Sequence, residues 1–189
     1  MVESGAAEQA KTGSTYEPLC RVRWEKNMTT KEFQAPAANE NLKRASGVEQ
    51  HLSPVLHDLI ALHVNTRQAH WHVRGANFMG VHLFLDEVVT HAQAAADEVA
   101  ERVVALGLPV DGRVETVAKR TSTPEMSPGV QQSMTTVAEV VAQLDATIAT
   151  VNSAIEGLDE IDPVSQDVVI AIAQQLDKDR WFLFSHYAE

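Results

Sequence analysis

Cysteine is nearly absent: Cys20 stands alone among 189 residues and cannot form an internal disulfide. A single thiol fits a reducing compartment, where disulfide-stapled folds are rare. Long apolar runs are missing too. None approaches the roughly 20 residues of a membrane-spanning helix, and the first fifteen residues are polar, unlike a secretory signal. The expectation is a cytoplasmic protein with no membrane partner. Internal repeats and low-complexity tracts do not occur, and no strand-like alternation competes with helical spacing. Positive charge is the remaining shortage, with 15 Lys and Arg against 26 Asp and Glu and a net charge of −11. Residues 1–45 carry seven basic and six acidic side chains, whereas 46–189 carry eight and twenty. Such an acidic body repels phosphate backbones and attracts cations, so duplex DNA suits it poorly and metal ions suit it well.

What is present divides the chain in two. Residues 1–45 mix Gly, Ser, Thr, Ala, Pro, Lys and Glu without a sustained period and read as a flexible N-terminal tail. Within it, the apolar side chains of Tyr16 to Trp24 are expected to dock on a folded surface. Residues 46–189 read as one helical domain, long enough for a proper core. A first helix is expected from near Ser53-Pro54, where Ser can cap and Pro can occupy the first turn, to Gly75, with an earlier helical turn from about Gly47 as the alternative. A second spans about 81–106, and the short link before it makes the two antiparallel neighbours. A crossover of some 20 residues follows, rich in Pro and Gly and carrying a short helix near Val114–Ala118. Third and fourth helices are expected over about 130–155 and 164–187. Two hairpins joined by one long crossover define the fold class: all-α, a ferritin-like four-helix bundle.

The chemistry concentrates in His70, His82, Asp86, Asp97 and Glu101. At about 100° per residue, Asp86, Asp97 and Glu101 lie about 40°, 60° and 100° round the second helix from His82, on one stripe. His82/Asp86 and Asp97/Glu101 are each spaced i,i+4, so each pair can reach a common point. The centres of the pairs, however, stand about 22 Å apart along the axis. Metal–ligand bonds are about 2 Å long, so one helix cannot bring both pairs to one ion. An identical helix packed antiparallel across a two-fold axis completes both sites at once, with His70 approaching the His82/Asp86 side. A set of carboxylate and imidazole without thiolate suits Fe(II), Zn(II) or Mn(II). His72 points away from His70 by helical geometry, and His63 reads as a core or interface residue.

The run His70-Trp-His-Val-Arg-Gly-Ala-Asn-Phe-Met-Gly-Val-His82, then Leu-Phe-Leu-Asp86-Glu87, resembles the signature of the Dps family, the miniature ferritins. Asp97-Glu-Val-Ala-Glu-Arg102 matches its second half, and the likeness extends over about 46–187, including Asp177-Lys178 and Trp181. The resemblance implies a homo-dodecameric cage in which Fe(II) is oxidised, preferentially by hydrogen peroxide, and stored as ferric mineral. It implies His70, His82 and Asp86 from one subunit and Asp97 and Glu101 from its partner as iron ligands, with Zn able to substitute. Trp71 matches a site-adjacent tryptophan, an electron donor or an apolar lid. Asp162 and Asp167 become candidates for acidic pore linings, their alternative being helix capping and dipole compensation. Other ferritins use Glu-x-x-His pairs within one subunit, a motif this chain lacks. Some family members condense DNA through basic tails. Here Lys11, Arg21, Arg23, Lys26, Lys31, Lys43 and Arg44 are interleaved with acids, and the final Ser-His-Tyr-Ala-Glu adds no basic extension. DNA binding is therefore expected to be weak or absent.

Overall fold

The structure is a computed structural model that describes residues 39–187. Five α-helices follow one another: α1 (Asn39–His72), α2 (Phe78–Ala105), α3 (Val114–Arg120), α4 (Ser133–Leu158) and α5 (Pro163–Phe184), with a 3-10 turn over Ser185–Tyr187. α1 packs on α2 and α4, α5 packs on α4 and α2, and short α3 lies in the crossover against α1. This is the expected ferritin-like bundle. Its centre is aliphatic, with Leu59, Leu85, Leu144 and Leu158 fully buried. None of the described helices is long and apolar enough to cross a membrane.

The start of α1 corrects the sequence reading. The helix begins at Asn39 and runs straight through Ser53-Pro54. Proline removes one helical hydrogen bond and crowds the preceding turn. Packing overrides that cost here, because Ala45, Val48 and Leu52 are at most 3% exposed and extend the apolar stripe N-terminally. Ser53 does not cap; its hydroxyl donates to Glu49 at 2.7 Å. The tail expected over 1–45, with its Tyr16–Trp24 segment, falls mostly outside the described residues, and 39–45 are helical.

A two-residue parallel pair also went unforeseen. β1 (Val73–Arg74) joins β2 (Gln131–Gln132) in the register Val73 to Gln131 and Arg74 to Gln132. It ties the α1–α2 turn to the start of α4. Gly75 adopts the positive φ, +97°, that the turn requires and glycine tolerates best.

Buried polar groups anchor the crossover. Asp58 on α1 is 1% exposed. Its Oδ1 accepts from the Thr121 hydroxyl at 2.8 Å and the Ser122 amide at 2.6 Å. Its Oδ2 accepts from the Ser122 hydroxyl at 2.6 Å and Thr150 of α4 at 2.7 Å. Buried Gln143 donates to the Pro124 carbonyl and accepts from Asn65 at 2.9 Å. The long connection is thus fixed at several points. Replacing Asp58 with Ala removes all four bonds to the carboxylate and should cost about 2–4 kcal/mol. A urea midpoint unchanged from wild type would show the network to be dispensable.

Candidate metal centre

His70 lies in the last turn of α1 and His82 near the start of α2, and the tight turn folds one onto the other. Their rings stack with centroids 3.8 Å apart and planes 20° from parallel. Each Nδ1 lies 2.9 Å from the other residue's backbone carbonyl. A carbonyl oxygen only accepts, so both Nδ1 atoms carry the proton and donate. In the neutral rings this is the tautomer that leaves Nε2 with the lone pair a metal needs. Phe78 stacks on the outer side of His82, 5.0 Å between centroids.

Asp86 follows one turn later, half-exposed, and takes an ion pair from Arg67 of α1. Asp97 and Glu101 are exposed, and neither makes a hydrogen bond or ion pair among the described residues. Asp97 opens into a groove of about 550 Å³ between α1 and α2, floored by Leu56 and Ile60. The five candidate ligands thus form two groups. The structure joins His70 to His82 with Asp86 beside them, and leaves Asp97 and Glu101 further along the helix. Among the described residues, no three His, Cys, Asp or Glu side chains converge closely enough to hold an ion. The donors present nonetheless fit iron: two imidazoles already in the ligating tautomer, three carboxylates, and one carboxylate now compensated by a guanidinium.

Trp71, next to His70 in the chain, is 59% exposed. His63 bonds through Nδ1 to the Val89 carbonyl at 3.2 Å, an α1–α2 packing role as expected. His72 contacts Gln68 at 2.7 Å, away from the pair. Asp162 is only 2% exposed. Its carboxylate caps α5 through the Ser165 amide at 3.2 Å and pairs with Arg102 at 2.6 Å. Capping therefore takes the side chain that had been a pore candidate, whereas Asp167 is exposed. Sequence reasoning missed Arg67, whose only signal was its position one turn before His70.

Known proteins bear on this geometry. The ferritin-like domain family matches residues 49–189. A DNA protection during starvation protein of Mycolicibacterium smegmatis is 34% identical over 154 residues, 82% of this chain and 83% of that protein. The corresponding protein of Agrobacterium fabrum is 31% identical, covering 73% of this chain and 86% of its own length. Among solved structures, Dps from Microbacterium arborescens in the high iron form superposes with a TM-score of 0.76 at 50% identity, over 81% of this chain and 98% of that one. The bundle is therefore that of a ferritin-like protein. Within that class, the chain belongs to the Dps family. Membership supports a general role in iron storage and protection.

The Asp162 cap makes a pH-dependent prediction. Burial pushes its carboxyl up, but Ser165 and Arg102 together outweigh burial and hold it below the ordinary value. A carboxyl depressed in the folded state stabilises above its unfolded pKa and loses that contribution as pH falls through the folded one. Asp162→Asn should cost about 1–2 kcal/mol at neutral pH. The gap from wild type should narrow as pH drops below about 3.8, as read by thermal melting. A gap independent of pH would exclude the charged cap.

Proposed function

We propose that this protein oxidises Fe(II) with hydrogen peroxide at sites shared between two subunits and stores the ferric product inside a dodecameric cage. One observation carries the reading. His70 and His82 are locked as ready ligands, while Asp97 and Glu101 stand about 22 Å from the His82/Asp86 pair on an unbroken helix. A second copy, antiparallel across a two-fold axis, brings Asp97 and Glu101 of the partner subunit to His70, His82 and Asp86. Two such sites form per dimer.

Iron is the substrate. His70 and His82 offer Nε2 as the ligating atom, since Nδ1 of each ring is taken by a backbone carbonyl. Asp86 can exchange its Arg67 partner for the ion, and the carboxylates of the partner subunit add negative charge that favours the ferric product. Each Fe(II) loses one electron and peroxide gains two. Two Fe(II), one hydrogen peroxide and two protons therefore give two Fe(III) and two waters, with no hydroxyl radical released. Trp71, exposed and next to His70 in the chain, would donate an electron to a stray oxidant. Zn(II) fits the same donors and would compete. Asp167 remains a pore-lining proposal; Asp162 does not.

Complementation tests the shared site directly. His82→Ala/Asp86→Ala and Asp97→Ala/Glu101→Ala chains should each assemble yet lose peroxide-driven oxidation, followed by ferric absorbance. Co-assembled one to one, half the dimers are mixed, and each mixed dimer regains one of its two sites. Roughly one quarter of the wild-type rate should return. No recovery would end the shared-site reading.

The curated relatives are named for DNA protection, which motivates a second reading as a DNA-associated cage. The acidic body opposes it. A gel shift at low and moderate salt should show no retardation; retardation persisting at moderate salt would favour the DNA reading.

A further inference from the structure

The acidic stripe of α2 is apolar at both ends. Counted from His82 at about 100° per residue, Val104 lies about 40° round the helix, Met79 about 60° and Leu83 about 100°. These are the angles that Asp86, Asp97 and Glu101 occupy. Met79, Leu83 and Val104 are each more than half exposed. The Arg67–Asp86 ion pair brings α1 alongside, and its Val64 and Trp71, one turn to either side of Arg67, are more than half exposed too. A lone exposed apolar side chain is ordinary on a protein surface. Five on two adjoining helix faces form a patch of the kind that marks an interface.

The shared centre proposed above fixes where a second copy would sit. Setting His82 opposite Glu101 of the partner subunit, and Asp86 opposite Asp97 of the partner subunit, puts the two-fold axis level with the step from His91 to Ala92. The same exchange sets Met79 opposite Val104 of the partner subunit and Leu83 opposite Ala100 of the partner subunit. Nothing in the ligand set requires the apolar side chains to obey it, yet apolar falls on apolar. Between them polar falls on polar, with Thr90 opposite Gln93 of the partner subunit. Charge is complementary as well, because Asp97 of the partner subunit arrives level with Arg67, which stands at Asp86.

We propose that Met79 and Leu83 of one subunit close on Val104 and Ala100 of the partner subunit, forming an apolar clasp that holds two copies of this chain together without metal. The exchange is isologous, so one clasp forms at each end of the paired helices. Met79 and Val104 lie one turn beyond His82 and Glu101, and each clasp therefore closes one shared site at its outer end. The inference rests on the register of the shared centre and adds what holds that register before any ion binds. Apolar side chains leave water on pairing, and that gain does not depend on a cation.

Along one helix, Met79 and Val104 stand about 37 Å apart, too far for a short cross-linker to join them within a chain. Met79→Cys/Val104→Cys, in the full-length protein with Cys20→Ser and stripped of metal by a chelator, should therefore give covalent dimers with a short bismaleimide. Met79→Cys alone and Val104→Cys alone should not. Opposite charge should rescue like charge at the same pair. Met79→Lys/Val104→Lys should shift the metal-free protein to smaller species on sizing, and Met79→Lys/Val104→Glu should restore the wild-type size. Helical content by circular dichroism should not change, because both side chains are exposed. Cross-linking no greater than in the single-cysteine proteins, or equal size for the two charge variants, overturns the clasp. The complementation above reads the shared centre separately. Cross-linking without recovered oxidation keeps the clasp and ends the shared centre, whereas recovered oxidation without cross-linking keeps the centre and ends the clasp.

Discussion

The reciprocal hydrogen bonds between His70 and His82 are the contact on which the rest of the centre depends. Each ring donates to the other residue's backbone carbonyl, so the end of α1 and the start of α2 are clamped by the two side chains proposed as metal ligands. Fold and chemistry are one constraint here. With both Nδ1 atoms committed, neither ring has to change tautomer or orientation when a cation arrives. The surrounding turn protects that arrangement. β1 pairs with β2, the Ser133 hydroxyl donates to the Ala76 carbonyl, and Gly75 takes the left-handed conformation that reverses the chain. Loosening any of these would blur the relative placement of the two imidazoles before it unfolded the bundle.

α2 then serves several surroundings at once. Val81, Leu85, Val88, Val99 and Val103 face the core and are at most 1% exposed. The acidic stripe of Asp86, Asp97 and Glu101 lies to one side, and His91 meets α5 on the other. Because the helix is continuous over 28 residues, the spacing along the stripe cannot be shortened by bending. A helix so placed leaves few neutral positions. Substitutions there act on packing, on the stripe or on the α5 seam, and the readouts differ.

Legibility in the sequence followed the length scale of each interaction. The helices and crossover were readable because their apolar period repeats over several turns, and the stripe was readable because its members share one helix. The start of α1 was not, because a local breaker at Pro54 competes with burial of Ala45 and Val48, which only the assembled bundle supplies. β1 and β2 are too short to leave a pattern. Arg67 meets Asp86 across 19 residues and His91 meets Asp179 across 88, separations that no periodicity encodes. Asp162 admitted two readings. The cap prevails because the same carboxylate also meets Arg102, a partner 60 residues away.

Partners of the carboxylates separate structural acids from those available to a cation. In a chain of net charge −11, each strongly buried carboxylate among the described residues is matched: Asp58 by hydroxyls and an amide, Asp162 by Arg102 and a helix terminus, Asp179 by His91 and Gln175. Asp86 is matched by Arg67, which stands where a cation's charge would be needed. Asp97 and Glu101 have solvent instead. Exposed carboxylates need nothing else, but the proposed pairing of subunits would take these two out of water. Desolvating unpaired charge costs several kcal/mol per group unless a counter-ion enters with it. At the proposed site, the same cation that neutralised Asp97 and Glu101 would also compete with Arg67 for Asp86, so metal binding and subunit contact would be coupled through charge. Occupied sites would then hold the dimer more tightly than empty ones, and the residues that read as ligands would double as the interface's electrostatic lock.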